Sequence, residues 1–193
     1  MGMLSGALIF LVNVVFGLFT VALLLRFYLQ WVRAPYRNPL SEFLQALTDF
    51  MVRPARRVIP GLWGLDLATL ALAWVVQCLH LFLELQLRGY QSGPEAGLVF
   101  VGFIAMAAVM LLKIGIYLVM VVIIIQAVLT WIGPYSPLMP LLNAMTRPFL
   151  RVFQRRIPPI GNVDLSPIFV LVVCQLLLML PVSYLEATVA RLL

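Results

Sequence analysis

The chain has 193 residues, 64% hydrophobic and only 10% charged, with a mean hydropathy of +1.09 and a formal net charge of +6. A soluble domain is about half apolar and about a quarter charged, so water cannot solvate a surface made from this composition. A water-soluble fold is excluded, and the bilayer is expected to be the solvent.

The first apolar run, "MLSGALIFLVNVVFGLFTVALLL" from 3 to 25, carries no charge and is long enough for a spanning helix, which needs about 20 residues. No Lys or Arg precedes it, and it exceeds the roughly 7 to 15 residue apolar core of a cleaved signal peptide. It is expected to remain as the first helix. Arg26 follows about one turn before Trp31, close enough to the membrane surface for its side chain to snorkel.

In "NPLSEFLQALTDFM", Asn38 suits an N-cap and Pro39 the first helical position, and apolar residues recur at 40, 43, 44, 47, 50 and 51. This predicts a short amphipathic helix. "RPARRVIPGLWGLD" (53 to 66) is basic, and its prolines are expected to break that helix. Asp66 opens the next apolar run, where a carboxylate satisfies free amides and meets the positive end of the helix dipole; an ion pair with Arg57 is a compatible second role. "LATLALAWVVQCLHLFL" (67 to 83) is a second span at the short limit.

The connection 84 to 95 holds only Arg88 against Glu84 and Glu95, and the third run, from Ala96 to Ile132, is interrupted by Lys113 alone. If the third helix starts near Leu111, its length to Trp131 is about 31 Å and Lys113 snorkels to the outer interface, the favoured reading. If it starts near Phe103, Lys113 lies deeper and becomes a functional candidate. "SPLMPLLNAMTRPFL" then repeats the amphipathic pattern, with Ser136 and Pro137 as cap and first residue and a stripe of Leu138, Leu141, Leu142 and Met145. "RVFQRRIPPIGNVD" (151 to 164) repeats the basic segment, with Asp164 in the place of Asp66 and Arg155 in that of Arg57, and "LSPIFVLVVCQLLLMLPVSYL" (165 to 185) is the fourth span. Runs this continuous lack the alternation of a membrane barrel, so the fold class is an all-α membrane protein with four transmembrane helices.

The chain is a tandem duplication. Shifted by 98 positions, residues 39 to 77 align without a gap on 137 to 175, and 13 of the 39 pairs are identical, among them Pro39/Pro137, Thr48/Thr146, Arg53/Arg151, Arg57/Arg155, Ile59/Ile157, Pro60/Pro158, Asp66/Asp164 and Gln77/Gln175. Upstream, an offset of 100 pairs Trp31 with Trp131, Arg26 with Gln126 and Asn13 with Lys113. The first repeat is placed at 1–90, with spans over about 3–30 and 65–87, and the second at 96–190, with spans over about 103–131 and 165–187. Two spans per copy make the repeats parallel hairpins, each carrying an amphipathic interfacial helix.

Nine of the 13 Lys and Arg residues fall within the two intra-repeat connections: Arg33, Arg37, Arg53, Arg56 and Arg57, then Arg147, Arg151, Arg155 and Arg156. The positive-inside rule places both connections in the cytoplasm and both termini outside, with Trp31 and Trp131 at the cytoplasmic interface. There the interfacial helices meet anionic headgroups, each basic side chain adding about 1 kcal/mol of attraction. Arg53, Arg56, Arg57, Arg151, Arg155 and Arg156 are the candidate contacts to lipid or a protein partner. No nucleic acid is expected, because these arginines are few and immediately juxtamembrane.

Gln77 and Gln175 sit about 11 residues past each aspartate, near mid-membrane, and together with Asn13 and Lys113 they form the intramembrane polar set. The glutamines are expected to pair across the repeats by hydrogen bonds worth about 0.6 to 2 kcal/mol. Cys78 and Cys174 read as single buried apolar residues, and His80 has no second ligand near it in sequence. No cofactor, metal or catalytic set is expected.

Two ordered copies of tryptophan, Asn-Pro or Ser-Pro, threonine, Arg, Arg-Arg, Pro, Gly and Asp resemble the YggT family of bacterial and plastid membrane proteins. The resemblance covers Arg26 to Gln77 and Gln126 to Gln175. Against the family pattern the first copy has Phe50 and Trp63 where a proline and a glycine stand, and the second has Val152 and Gln154 for a proline and an arginine. The resemblance implies a bacterial inner-membrane protein with no enzymatic activity, in a family linked to osmotic-stress tolerance, the division machinery and plastid cytochrome assembly. The leading expectation is a scaffold or assembly factor working through the basic cytoplasmic loops with membrane-protein partners. The alternative is a channel-like or transport role for ions or osmolytes, in which a homo-oligomer would complete the pathway.

Overall fold

The four apolar runs form helices long enough and apolar enough to cross a bilayer: Leu4–Trp31, Leu67–Leu87, Phe100–Thr130 and Ser166–Ala190. The structure is a computed structural model that describes residues 3–35, 38–59, 61, 65–89, 96–132, 136–156 and 164–191. Arg37, Pro60, Trp63, Gly64, Glu95, Ile157, Pro158 and Gly161, and the side chain of Trp131, lie outside the described residues. In chain order the helices are α1 (Met3–Trp31), α2 (Pro39–Val58), α3 (Leu67–Leu87), α4 (Ala96–Ile132), α5 (Met139–Gln154), α6 (Ser166–Leu177), a π-helical turn (Leu178–Val182) and α7 (Ser183–Ala190). The protein is all-helical, as two hairpins that each carry a short amphipathic helix at the same end of the bundle.

Helix α2 begins as its cap residues dictate. The Asn38 side chain accepts from the Ser41 amide at 2.7 Å and Pro39 takes the first turn, where a missing N–H costs nothing. Its Leu44, Thr48 and Val52 face inward, while Phe43, Leu47 and Phe50 are exposed. The expected break does not occur at Pro54: α2 continues through it and ends at Val58, two residues ahead of Pro60 in the sequence, and α5 likewise continues through Pro148. Both Pro54 and Pro148 are exposed, so the carbonyl each leaves without an amide can be hydrated.

Helix α5 starts later than expected, at Met139, with Ser136 and Pro137 ahead of it. Pro140 explains the shift. A helix starting at Pro137 would put Pro140 one turn inside, where its N–H is needed; starting at Met139 leaves it in the first turn.

The fourth span is interrupted. Pro181 cannot donate to the carbonyl four residues back, and the chain widens into the π turn around it. The Ser183 hydroxyl donates to the Leu178 carbonyl at 2.9 Å.

The duplication reappears in the packing. Leu23, Val52 and Val76 lie in one buried cluster, and Ile123, Leu150 and Cys174, their counterparts at offsets of 100, 98 and 98, lie in another. The copies meet at the basic end, where Ala22 and Val122 share a cluster with Leu44 and Leu142. The Tyr28 hydroxyl donates to the Met145 carbonyl, and its ring joins those of Trp31 and Phe149. Lipid is as apolar as these side chains, so close packing and hydrogen bonds hold the spans together rather than the hydrophobic effect.

Candidate functional site

At the basic end of the first copy, Arg26 reaches from α1 to α2, donating to Thr48 Oγ1 at 2.6 Å and to Asp49 Oδ1 at 2.8 Å. Its side chain is only 10% exposed, so it is locked to α2 and does not snorkel to the headgroups. The reason is Asp49, a nearby acid that offsets the cost of burying the guanidinium. Arg53, one turn along α2, donates to the other Asp49 oxygen at 2.9 Å. Burial works to raise the Asp49 pKa, but the hydrogen bonds and charges of Arg26 and Arg53 outweigh it and hold the carboxyl below its ordinary range.

The second copy solves the same position without charge. Gln126, the counterpart of Arg26, donates to Asn143 at 2.7 Å, and Thr146 returns its hydroxyl to the Leu142 carbonyl at 2.9 Å. Where the first copy has Asp49 the second has Arg147.

Asp66 and Asp164 each open a span, with different partners from those expected. Asp66 is the N-cap of α3, its carboxylate accepting from the Thr69 amide at 3.3 Å and from the Thr69 hydroxyl. Its ion pair is with Arg56, through two guanidinium nitrogens, and not with Arg57. Because α2 does not break at Pro54, Arg56 is the residue whose helical phase faces the start of α3. Asp66 is 3% exposed; burial pushes its pKa up, while Arg56 and Thr69 pull it further down, leaving it below the usual carboxylate range.

Asp164 stands one residue before the Leu165 cap position and accepts from the Ser166 amide at 2.8 Å and from Gln154 Nε2 at 2.8 Å. Gln154, the counterpart of Arg56, thus replaces the expected Arg155. Burial likewise raises the Asp164 pKa less than Gln154 and Ser166 lower it. Both copies keep the same contact ten residues apart, charged in one and neutral in the other. Arg53, Arg57, Arg151, Arg155 and Arg156 are exposed along this end, as is nearly half of the Arg56 side chain.

The intramembrane polar residues separate into local contacts. Asn13 Oδ1 lies 2.9 Å from His80 Nε2, joining α1 to α3. Lys113 donates to both Glu186 oxygens, at 2.8 and 3.1 Å, joining α4 to α7. Helix α4 starts at Ala96 and not near Leu111, because nothing from Ala96 to Leu112 interrupts its apolar, helix-compatible run. The helix length that set Lys113 at the outer interface is therefore not observed, and Lys113 lies 13 residues inside the candidate span Phe100–Thr130. Gln77 is buried at 2% exposure and donates to Met110 Sδ at 3.6 Å, whereas Gln175 is exposed on α6. The two glutamines occupy unlike environments.

Sequence reasoning passed over Asp49, Thr48 and Glu186. A usable signal was there for Glu186, the acid directly after the fourth apolar run, as a partner for the lone base of the third, and for Asp49, four residues before Arg53.

A model of the CCB3/YggT family matches the chain in two tandem segments, residues 5–87 and 105–185. An uncharacterized protein of Pseudomonas aeruginosa is 36% identical over 186 residues, covering 95% of this chain and 92% of that one. The uncharacterized protein YggT of Escherichia coli K12 is 29% identical over 184 residues, covering 95% and 93%. A protein of Vibrio alginolyticus described as uncharacterized in the proC 3′ region is 33% identical over 160 residues, covering 81% and 83%. No solved structure matches the chain.

Proposed function

Because the chain belongs to the CCB3/YggT family, we propose that it is a non-enzymatic scaffold or assembly factor of the bacterial inner membrane, acting through its basic end on the cytoplasmic side. The observation that carries this reading is the pairing of α2 and α5 at one end of a four-span bundle. Each amphipathic helix turns a packed stripe inward and leaves arginines exposed beside apolar side chains: Phe43, Phe50 and Arg57 on α2, and Val152, Arg151 and Arg155 at α5. Apolar groups at headgroup depth flanked by guanidinium groups suit a surface that binds anionic lipid and docks an acidic face of a membrane-protein partner.

A transport role draws less support. It needs Asn13, Lys113, Gln77 and Gln175 on one path, and each has its own separate surroundings: His80, Glu186, Met110 and the exposed face of α6.

The test is a photo-crosslinking side chain placed at position 57 or 155 in native membranes. Reproducible adducts with the same protein partner from both positions are expected. Adducts with lipid alone would sink the docking role.

A further inference from the structure

The end of α1 and the facing side of α2 enclose a cleft of about 590 Å³, lined by Arg26, Arg33, Arg53 and Arg56 with Asp49 as its one carboxylate. We propose that this cleft, in the first copy and not in the second, binds a phosphoryl group, supplied by a phospholipid headgroup or by soluble phosphate.

The first support is the backbone of Arg33. Helix α1 closes with the Ala34 amide donating to the Leu29 carbonyl at 2.9 Å and the Arg33 amide to the Gln30 carbonyl at 3.1 Å, a Schellman turn. That turn needs a left-handed residue at position 33, which glycine adopts without strain. Arg33 holds φ +51°, the one positive φ outside glycine among the described residues. Its counterpart in the second copy, at the offset of 100, is Gly133. The fold therefore has no need of an arginine here, and its side chain lines the cleft.

Charge is the second support. Asp49 is shared by Arg26 and Arg53, and Arg56 engages Asp66, while Arg33 forms no ion pair among the described residues. Four guanidinium groups against Asp49 within the cleft, and Asp66 beside it, leave a surplus of two positive charges. Asp49 holds the Arg26 and Arg53 forks in place, and planar forks with paired donors match the oxygens of a phosphate.

The duplicated copy is the third. At the equivalent positions it has Gln126, Gly133, Arg151 and Gln154, with Arg147 in place of Asp49. Three of the four cleft arginines are absent there, so the chain carries its own comparison.

The experiment uses the purified full chain in detergent, titrated in one arm with inorganic phosphate and in the other with mixed micelles containing phosphatidylglycerol or phosphatidylcholine. Binding is expected in at least one arm: a response to inorganic phosphate assigns a soluble ligand, and a response to phosphatidylglycerol alone assigns the headgroup. Arg33→Gly copies the second repeat and suits the turn, so it should melt at or above the wild-type temperature while binding at least about tenfold more weakly. If it folds poorly, Arg56→Gln, which copies Gln154, is read in its place. Arg147→Ala should bind as wild type does. Binding in neither arm, unchanged affinity in Arg33→Gly, or an equal loss in Arg147→Ala would overturn the proposal. The outcome is independent of partner docking: a cleft that binds no phosphate leaves the crosslinking result intact, and crosslinks to lipid alone leave the cleft intact.

Discussion

Asp66 and Asp164 occupy matching places in the duplicated sequence, yet their surroundings predict unequal costs of removal. Asp66→Ala takes away the α3 cap and leaves Arg56 without its carboxylate, so the loss should be about 1 to 3 kcal/mol. Asp164→Ala removes an exposed acceptor one residue before the cap position of α6 and should cost about 0.5 to 1 kcal/mol. Thermal unfolding of both variants in one detergent checks the order.

Acid gives a second test at this scale. Asp49 and Asp66 have folded pKa values below the ordinary value, so the unfolded chain binds more protons in the window between folded and unfolded pKa. Their stabilisation is complete above the unfolded value, about 3.9, and is lost as pH falls through the lower folded values. The melting temperature should therefore hold from neutral pH to about pH 4 and fall below it. In Asp49→Asn/Asp66→Asn the fall should be smaller.

At the scale of the element, the fourth span shows how a local fault sets a long-range contact. A π turn shifts the helical phase of everything after it, and Glu186 on α7 faces Lys113 only downstream of that turn. A double-mutant cycle of Lys113→Ala and Glu186→Ala should return a coupling of about 0.6 to 2 kcal/mol, the range for polar contacts between membrane helices. Replacing Pro181 with leucine restores an amide and favours an unbroken helix, so the same cycle in that background should show its coupling reduced.

These elements also show what was legible in the sequence. Continuous apolar runs marked all four spans, and Asn38 and Asp66 announced their caps, because length and N-cap chemistry are local properties. Helix phase is not local. Whether α2 would bend at Pro54 or absorb it depended on hydration of an exposed carbonyl, and that decided between Arg56 and Arg57 as partner of Asp66. The start of α5 turned on Pro140, inside the apolar stripe, and not on the Ser136 and Pro137 pair that mirrors Asn38 and Pro39. The left-handed Arg33 was legible only by comparison with Gly133, since nothing in its own neighbourhood marks it.

For the whole molecule, duplication explains both the symmetry and its failures. Core triads such as Leu23, Val52 and Val76 are matched by Ile123, Leu150 and Cys174, so the two hairpins share one packing plan. At the basic end the plan is kept in geometry and changed in charge: Arg26 to Gln126, Asp49 to Arg147, Arg56 to Gln154. The proposed docking role requires the two basic ends to share one face of the membrane, on the cytoplasmic side. The direct test is labelling with a membrane-impermeant maleimide in a chain with Cys78 and Cys174 replaced by alanine and a single cysteine at position 57, 155 or 88. Intact cells should label position 88 alone, with 57 and 155 reacting only after the inner membrane is opened. Labelling of 57 and 155 from opposite sides, or of both from outside, would contradict the parallel, basic-end-inward architecture.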